Sequence, residues 1–205
     1  MPQNAVVLAL PRGGVPVGLE VALAFDAMLD VFVVRKLGMP GHEEFAIGAI
    51  AAGGFEILNE SAIAGMKISP KHVAEVVERE TKELERREQL YRGNRAPASV
   101  ADRVVILVDD GLATGSSMRA GIAALRALKP RQIIVAVPVG ASDTCSEIEY
   151  EVGRVVCPLQ PNPFHAVGLW YRNFDQTTDD EVRECLAAAA LNYDAFYHSS
   201  HEQKR

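Results

Sequence analysis

The run Val104-Val105-Ile106-Leu107-Val108 leads straight into Asp109-Asp110 and continues through Gly111-Leu112-Ala113-Thr114-Gly115-Ser116-Ser117 to Met118. Consecutive aliphatic residues without polar alternation describe a strand buried on both faces, as in a parallel sheet covered by helices. Shorter β-branched runs at residues 5–10, 31–34, 133–137 and 154–156 read as further strands. Helical patterns fall between them at 15–27, 118–128 and 143–149, the last behind Ser142 as a cap. Strand–helix–strand alternation requires right-handed crossovers and predicts an α/β fold: an open, mainly parallel twisted sheet flanked by helices. Ligands of such sheets bind beyond the carboxyl ends of the strands. The loops 11–14, 35–44 and 109–117 are therefore where chemistry is expected.

Loop 109–117 is the most informative of the three. Two like charges about 4 Å apart repel by roughly 4 kcal/mol at a protein-like dielectric. A loop with only a structural role rarely accepts that, so a cation or hydroxyl donors are expected beside Asp109 and Asp110. Farther along, Thr114, Ser116 and Ser117 bring hydroxyls to a helix start, whose free amides bind phosphate. Gly111 and Gly115 let the backbone wrap closely around an anion. The matching ligand has a phosphate at one end and vicinal hydroxyls or a bound metal a few ångströms away, which describes a ribose 5-phosphate. Two other phosphate motifs are missing from the sequence: it has no Gly-Lys-Ser/Thr, and no Gly-x-Gly-x-x-Gly follows the first strand.

The 205 residues suit one α/β domain, with a core at about 5–157, an inserted helix at about 70–92 and a hood or tail at about 158–198. Residues 45–58 look like a hairpin around Gly53-Gly54. Ser69 can cap the long helix, Pro70 suits its first turn and Gly93 can end it. Its pairs Glu75/Arg79, Glu78/Lys82 and Glu83/Arg87 suggest a solvated face, with Val73, Val76, Val77 and Leu84 turned inward. The other reading is that Arg86, Arg87 or Arg92 reaches the active site. Thr178-Asp179-Asp180-Glu181 is a capping box for a final helix that frays from about residue 199.

A formal net charge of -6 argues against a protein that coats nucleic acid. No apolar run is long enough to span a membrane, and the cytoplasm is the expected location. Cys145, Cys157 and Cys185 match no zinc spacing and are expected as buried free thiols.

Loop 109–117 resembles the signature of type I phosphoribosyltransferases: apolar residues, two acids, then a Thr-Gly-small-Ser/Thr turn. The likeness extends over most of the chain. Leu10-Pro11-Arg12-Gly13-Gly14-Val15-Pro16 and Arg35-Lys36-Leu37-Gly38-Met39-Pro40-Gly41 look like a bacterial branch of that family whose base is generally unassigned. The resemblance implies an enzyme that moves the 5-phosphoribosyl group from phosphoribosyl pyrophosphate to a nucleobase-like acceptor. The alternatives are a non-catalytic regulator that binds the same compound and a hydrolase of a sugar phosphate.

The resemblance also implies roles for single residues. Asp109 and Asp110 contact the ribose hydroxyls and are indirect partners of Mg2+. Ala113, Thr114, Gly115, Ser116 and Ser117 hold the 5-phosphate. Arg12, Gly13 and Gly14 hold pyrophosphate, with a non-proline cis peptide near Arg12. Arg35 and Lys36 are further pyrophosphate ligands that face the same crevice. Residues 38–44 belong to a mobile loop in which His42, Glu43 or Glu44 exchanges a proton with the base. Phe164, Trp170, Tyr171 and Phe174 stack on the base, and Gln160 or Asn162 reads its edge. A homodimer is common in the family.

Two departures stand out. Ala113 occupies a place where members that use 6-oxopurines usually carry aspartate, so proton exchange with such a base from this loop is not supported. Relatives also carry a helix before the first strand, whereas four residues precede Ala5. One sheet face is therefore expected to be partly uncovered.

Overall fold

The computed structural model describes residues 5–39 and 42–202, without the side chains of Glu43, Glu44 and residues 197–202. The chain runs β1 (Ala5–Ala9), α1 (Gly14–Phe25), β2 (Met28–Val31), β3 (Val34–Met39), β4 (His42–Ala51), β5 (Phe55–Leu58), α2 (Glu60–Gly65) and α3 (Pro70–Arg92). It continues with β6 (Val104–Val108), α4 (Ser116–Ala127), β7 (Gln132–Ala136), α5 (Ser142–Val152), β8 (Val155–Val156), a 3-10 turn (Val167–Trp170) and α6 (Asp179–Glu202).

A five-stranded sheet in the order β2-β1-β6-β7-β8 is parallel throughout. β6 lies in the middle, and successive side chains leave it toward opposite faces. Val105 and Leu107 join Met118, Ile122, Leu125 and Ile148 from α4 and α5. Ile106 and Val108 join Val15 and Ala22 from α1 and Val182 and Leu186 from α6. Both faces are apolar because both are covered, which explains the absence of polar alternation. The face beside α1, expected to be partly bare, is covered by α6, whose Val182, Leu186 and Ala189 are buried.

The expected strand at 31–34 is in fact a junction. β2 ends at Val31, and the buried Phe32 and Val33 lead into β3, which belongs to a second, antiparallel sheet in the order β3-β4-β5. Loop 35–44 is accordingly corrected: its described residues lie mostly in strands, with Met39 paired to His42. Leu37, which follows Arg35-Lys36, is fully buried from within this second sheet, which is why the segment is strand and not rim. Pro40 and Gly41 lie outside the described residues. The β4–β5 hairpin turns where expected, with Gly53 at φ 81° and Gly54 at φ 77°, values that favour glycine.

The long helix α3 starts with Ser69 Oγ accepting from the His72 amide at 3.3 Å and ends at Gly93. Glu78/Lys82 and Glu83/Arg87 pair as expected. Glu75 instead meets Lys71, and Arg79 turns to Glu80. Val77 is only partly buried. Arg92 is buried: its Nε donates to both Asp30 oxygens at 2.9 and 3.0 Å and its Nη2 to the Val31 oxygen at 2.6 Å. This arginine ties α3 to β2. Thr178 and Glu181 form the reciprocal capping box of α6. In α5, Ser142 is the first helical residue and not the cap; Ala141 holds the cap position, its amide donating to the Leu112 oxygen at 2.8 Å. All three cysteines are free, but only Cys145 is fully buried. Among the described residues, no helix is long and apolar enough to cross a membrane.

Candidate functional site

β1 and β6 are neighbours in register, Ala9 opposite Val108, so their following loops leave the sheet side by side. The Leu10 amide donates to the Val108 oxygen at 2.9 Å and seals the junction. The Pro11–Arg12 peptide is cis. Gly13 and Gly14 then pass directly over the acid pair. A Cβ on Gly13 would lie 2.0 Å from Asp110 Oδ2, and one on Gly14 would lie 2.8 Å from both Asp109 Cα and the Val108 oxygen. At Gly14 only a residue without a side chain fits, because the obstruction is backbone, whereas a side chain at Gly13 would displace the Asp110 carboxylate.

Asp109 Oδ1 accepts from the Asp110 amide at 2.9 Å. Burial first, and the charge of Asp110 second, push the Asp109 carboxyl up to about 7. Burial also raises Asp110, while the Gly111 amide, donating to its carboxylate, pulls the other way. Both groups are half-buried acids at the mouth of the sheet. Among the described residues no group of three or more His, Cys, Asp or Glu side chains gathers as a cation site. A divalent cation here would have these two carboxylates as indirect partners and take its ligands from water and a bound anion, which suits magnesium.

Past the acids, Leu112 bridges to Gly140 and directs the loop toward α4. Gly115 occupies the cap of α4 at φ 73°. Thr114, Ser116 and Ser117 are exposed around it, with Thr114 Oγ1 at 3.2 Å from Ser116 Oγ. Thr144 Oγ1, from α5, donates to the Ala113 oxygen at 2.8 Å. Hydroxyls and first-turn amides thus converge at one helix start, an arrangement that attracts phosphate.

A cleft of about 550 Å³ opens between the two loops and the segment that follows the 3-10 turn. Arg12, Gly13 and Asp110 line it together with Tyr171, Asn173 and Phe174. Tyr171 Oη donates to the Asp110 main-chain oxygen at 2.5 Å. The Tyr171 and Phe174 rings are tilted by 46° with centroids 5.1 Å apart. Arg12 reaches Asp179 at 3.6 Å, and Tyr91 Oη donates to the same carboxylate oxygen at 2.8 Å.

The other expected site residues stand farther from this centre. Arg35 gives its Nε proton to Glu80 at 2.7 Å and its Nη2 proton to the same oxygen. Its guanidinium is engaged by α3, and it does not line the cleft. Lys36 is exposed and, by strand alternation, lies on the face of β3 opposite Arg35. The side chains of Glu43 and Glu44 lie outside the described residues. His42 is exposed, its ring 6.3 Å from that of Phe45. Trp170, at 44% exposure, and Phe164 do not line the cleft, and neither do Asn162 and Gln160, whose amide nitrogen donates to the Cys157 oxygen. The cleft also takes Asp175, Gln176 and Thr177, which sequence reasoning passes over. One signal could have found them: they form the polar approach to the Thr178 capping box.

A family model for the phosphoribosyl transferase domain matches residues 2–170. Two curated relatives from Mycobacterium tuberculosis, in strains CDC 1551 / Oshkosh and ATCC 25618 / H37Rv, are each provisionally named a phosphoribosyl transferase. Both are 42% identical over 188 residues, covering 92% of this chain and 42% of their own length. The chain thus spans less than half the length of these relatives. Among solved structures, the crystal structure of TT1426 from Thermus thermophilus is similar, with a TM-score of 0.78 and 38% identity. The similarity covers 90% of this chain and 87% of that one.

Proposed function

Because the chain belongs to the phosphoribosyl transferase domain family, we propose that it transfers the 5-phosphoribosyl group of phosphoribosyl pyrophosphate to a nucleobase-like acceptor. The observation that carries this reading is the packing of Gly13-Gly14 onto Asp109-Asp110. It sets an anion loop beside an acid pair that itself leads into a hydroxyl-lined helix start. A ligand with a 5-phosphate, a ribose and a pyrophosphate has these three needs in this order.

In the proposed reaction the C1–oxygen bond to pyrophosphate breaks and a C1–nitrogen bond to the acceptor forms, while the acceptor loses its proton. Thr114, Gly115, Ser116 and Ser117, with the Ala113 backbone, hold the 5-phosphate. Asp109 and Asp110 orient the ribose hydroxyls and favour positive charge developing on the sugar. Gly13, Gly14 and Arg12 receive the pyrophosphate, with Lys36 contributing charge from β3. Magnesium, when bound, would neutralise pyrophosphate oxygens with the acid pair as its indirect partner. Tyr171 and Phe174 offer a ring surface for a planar acceptor. Glu44 is the proposed proton acceptor, with His42 and Glu43 as its neighbours on β4. Catalysis rests on positioning and charge complementarity.

A thermal-shift titration with magnesium and phosphoribosyl pyrophosphate tests this reading. Ligand at 100 times its dissociation constant adds about 2.7 kcal/mol, a rise of roughly 5–10 °C for a chain of this size. A nucleobase panel scored by pyrophosphate release then identifies the acceptor. Replacing Asp109 and Asp110 together by Asn should keep the fold and abolish turnover. Unchanged activity in that double variant would refute the assigned roles, and binding without turnover across the panel would point to a regulator.

A further inference from the structure

The hydroxyl of Tyr171 has one proton to give, and it gives it to the Asp110 main-chain oxygen at 2.5 Å. The accepting peptide joins Asp110 to Gly111, so the phenol holds the backbone directly beside the Asp110 carboxylate. Packing holds this peptide in place. A Cβ on Gly111 would lie 2.5 Å from Val167 Cγ1, so the 3-10 turn sits directly on this peptide. Phe174 presses on Gly168 and on the Tyr171 ring, which fixes the phenol. Burial, together with the charges of Asp110 and Asp109, pushes Tyr171 up to about 12, so the hydroxyl keeps its proton.

We propose that Tyr171 is a positioning residue for the sugar: its hydroxyl fixes the Asp110–Gly111 peptide and thereby aims the Asp110 carboxylate at the ribose. The hood is then part of the ribose site and more than a ring surface for the acceptor. This inference rests on the phosphoribosyl pyrophosphate reading of the acid loop.

Tyr171→Phe removes one oxygen and keeps the ring. Titration calorimetry with magnesium compares phosphoribosyl pyrophosphate, ribose 5-phosphate and pyrophosphate on the wild type, on Y171F and on Leu169→Ala, an exposed hood residue. Y171F is expected to weaken both ribose-bearing ligands by roughly fivefold, the equivalent of about 1 kcal/mol. Pyrophosphate behaves identically in both proteins, and L169A matches the wild type throughout. If Y171F melts early, Val167→Ala, which loosens the same peptide, is expected to show the same ribose-selective loss. Unchanged ribose affinity in Y171F, or a loss shared equally by pyrophosphate, overturns the inference alone. A folded wild type that binds neither ribose ligand overturns the functional reading and this inference with it.

Discussion

Gly13 stands so close to Asp110 that a Cβ on it would sit 2.0 Å from the Oδ2 atom, whereas a Cβ on Gly14 would meet the backbone of Val108 and Asp109. The two glycines therefore fail differently. Gly13→Ala pushes on the movable end of a side chain, so stability should fall little while ligand affinity falls at least tenfold. Gly14→Ala pushes two loops apart and should cost about 1–3 kcal/mol. Urea denaturation paired with phosphoribosyl pyrophosphate titration separates them. Full affinity in Gly13→Ala would mean that the Asp110 carboxylate is not needed where it stands.

The acid pair makes stability depend on pH. An unfolded aspartate titrates near 3.9, whereas burial and Asp110 hold Asp109 at about 7. Between those values the folded chain binds the extra proton, so stability falls as pH rises through the window. The penalty is absent below about pH 4 and complete above about pH 7; Asp110 acts in the same direction. Asp109→Asn cannot ionise. Its stability should be flatter across this range and exceed that of the wild type at pH 8 by on the order of 4 kcal/mol. Urea midpoints from about pH 4.5 to 8 measure this, and parallel curves for the two proteins would contradict it.

Asp30 and Arg92 test a structural role at a distance from the cleft. Besides Arg92, Asp30 accepts from the Ala98 amide at 2.9 Å, so one carboxylate holds β2, the end of α3 and the segment leading to β6. Asp30→Ala leaves a buried guanidinium short of its partner and should cost about 3–5 kcal/mol. Ligand affinity per folded molecule should not change. A cost below about 1 kcal/mol would show that Glu88 and the Val31 oxygen suffice for Arg92.

The parallel core and the acid loop are legible in the sequence because their signals are local. Val104–Val108 lacks polar alternation, and Ser69 and Thr178 cap helices with atoms three residues away. Residues 31–39 are not legible in the same way. Phe32 and Val33 are buried between two sheets, so the β-branched run hides the break, and Leu37 shows its burial only once β4 lies beside it. The cleft wall from Asn173 to Thr177 has no period to read, since the path from the 3-10 turn to α6 puts it there. Tyr171 is legible as a ring, but the target of its hydroxyl lies 61 residues away.

Arg35 is the residue whose sequence-derived role and observed surroundings pull apart most. The resemblance makes it a pyrophosphate ligand, yet its donors go to Glu80, which is 8% exposed and also receives Arg79. A paired, largely buried cation contributes little net stability against an apolar pair of the same size, but removing one partner is costly. Glu80→Met alone should therefore cost about 2–4 kcal/mol, and Arg35→Met added to it should recover most of that loss. If Arg35 serves only to join β3 to α3, the double variant binds phosphoribosyl pyrophosphate as the wild type does. A double variant that regains stability but loses affinity tenfold or more would mean that Arg35 leaves Glu80 for the ligand, and that Glu80 holds it in reserve until then.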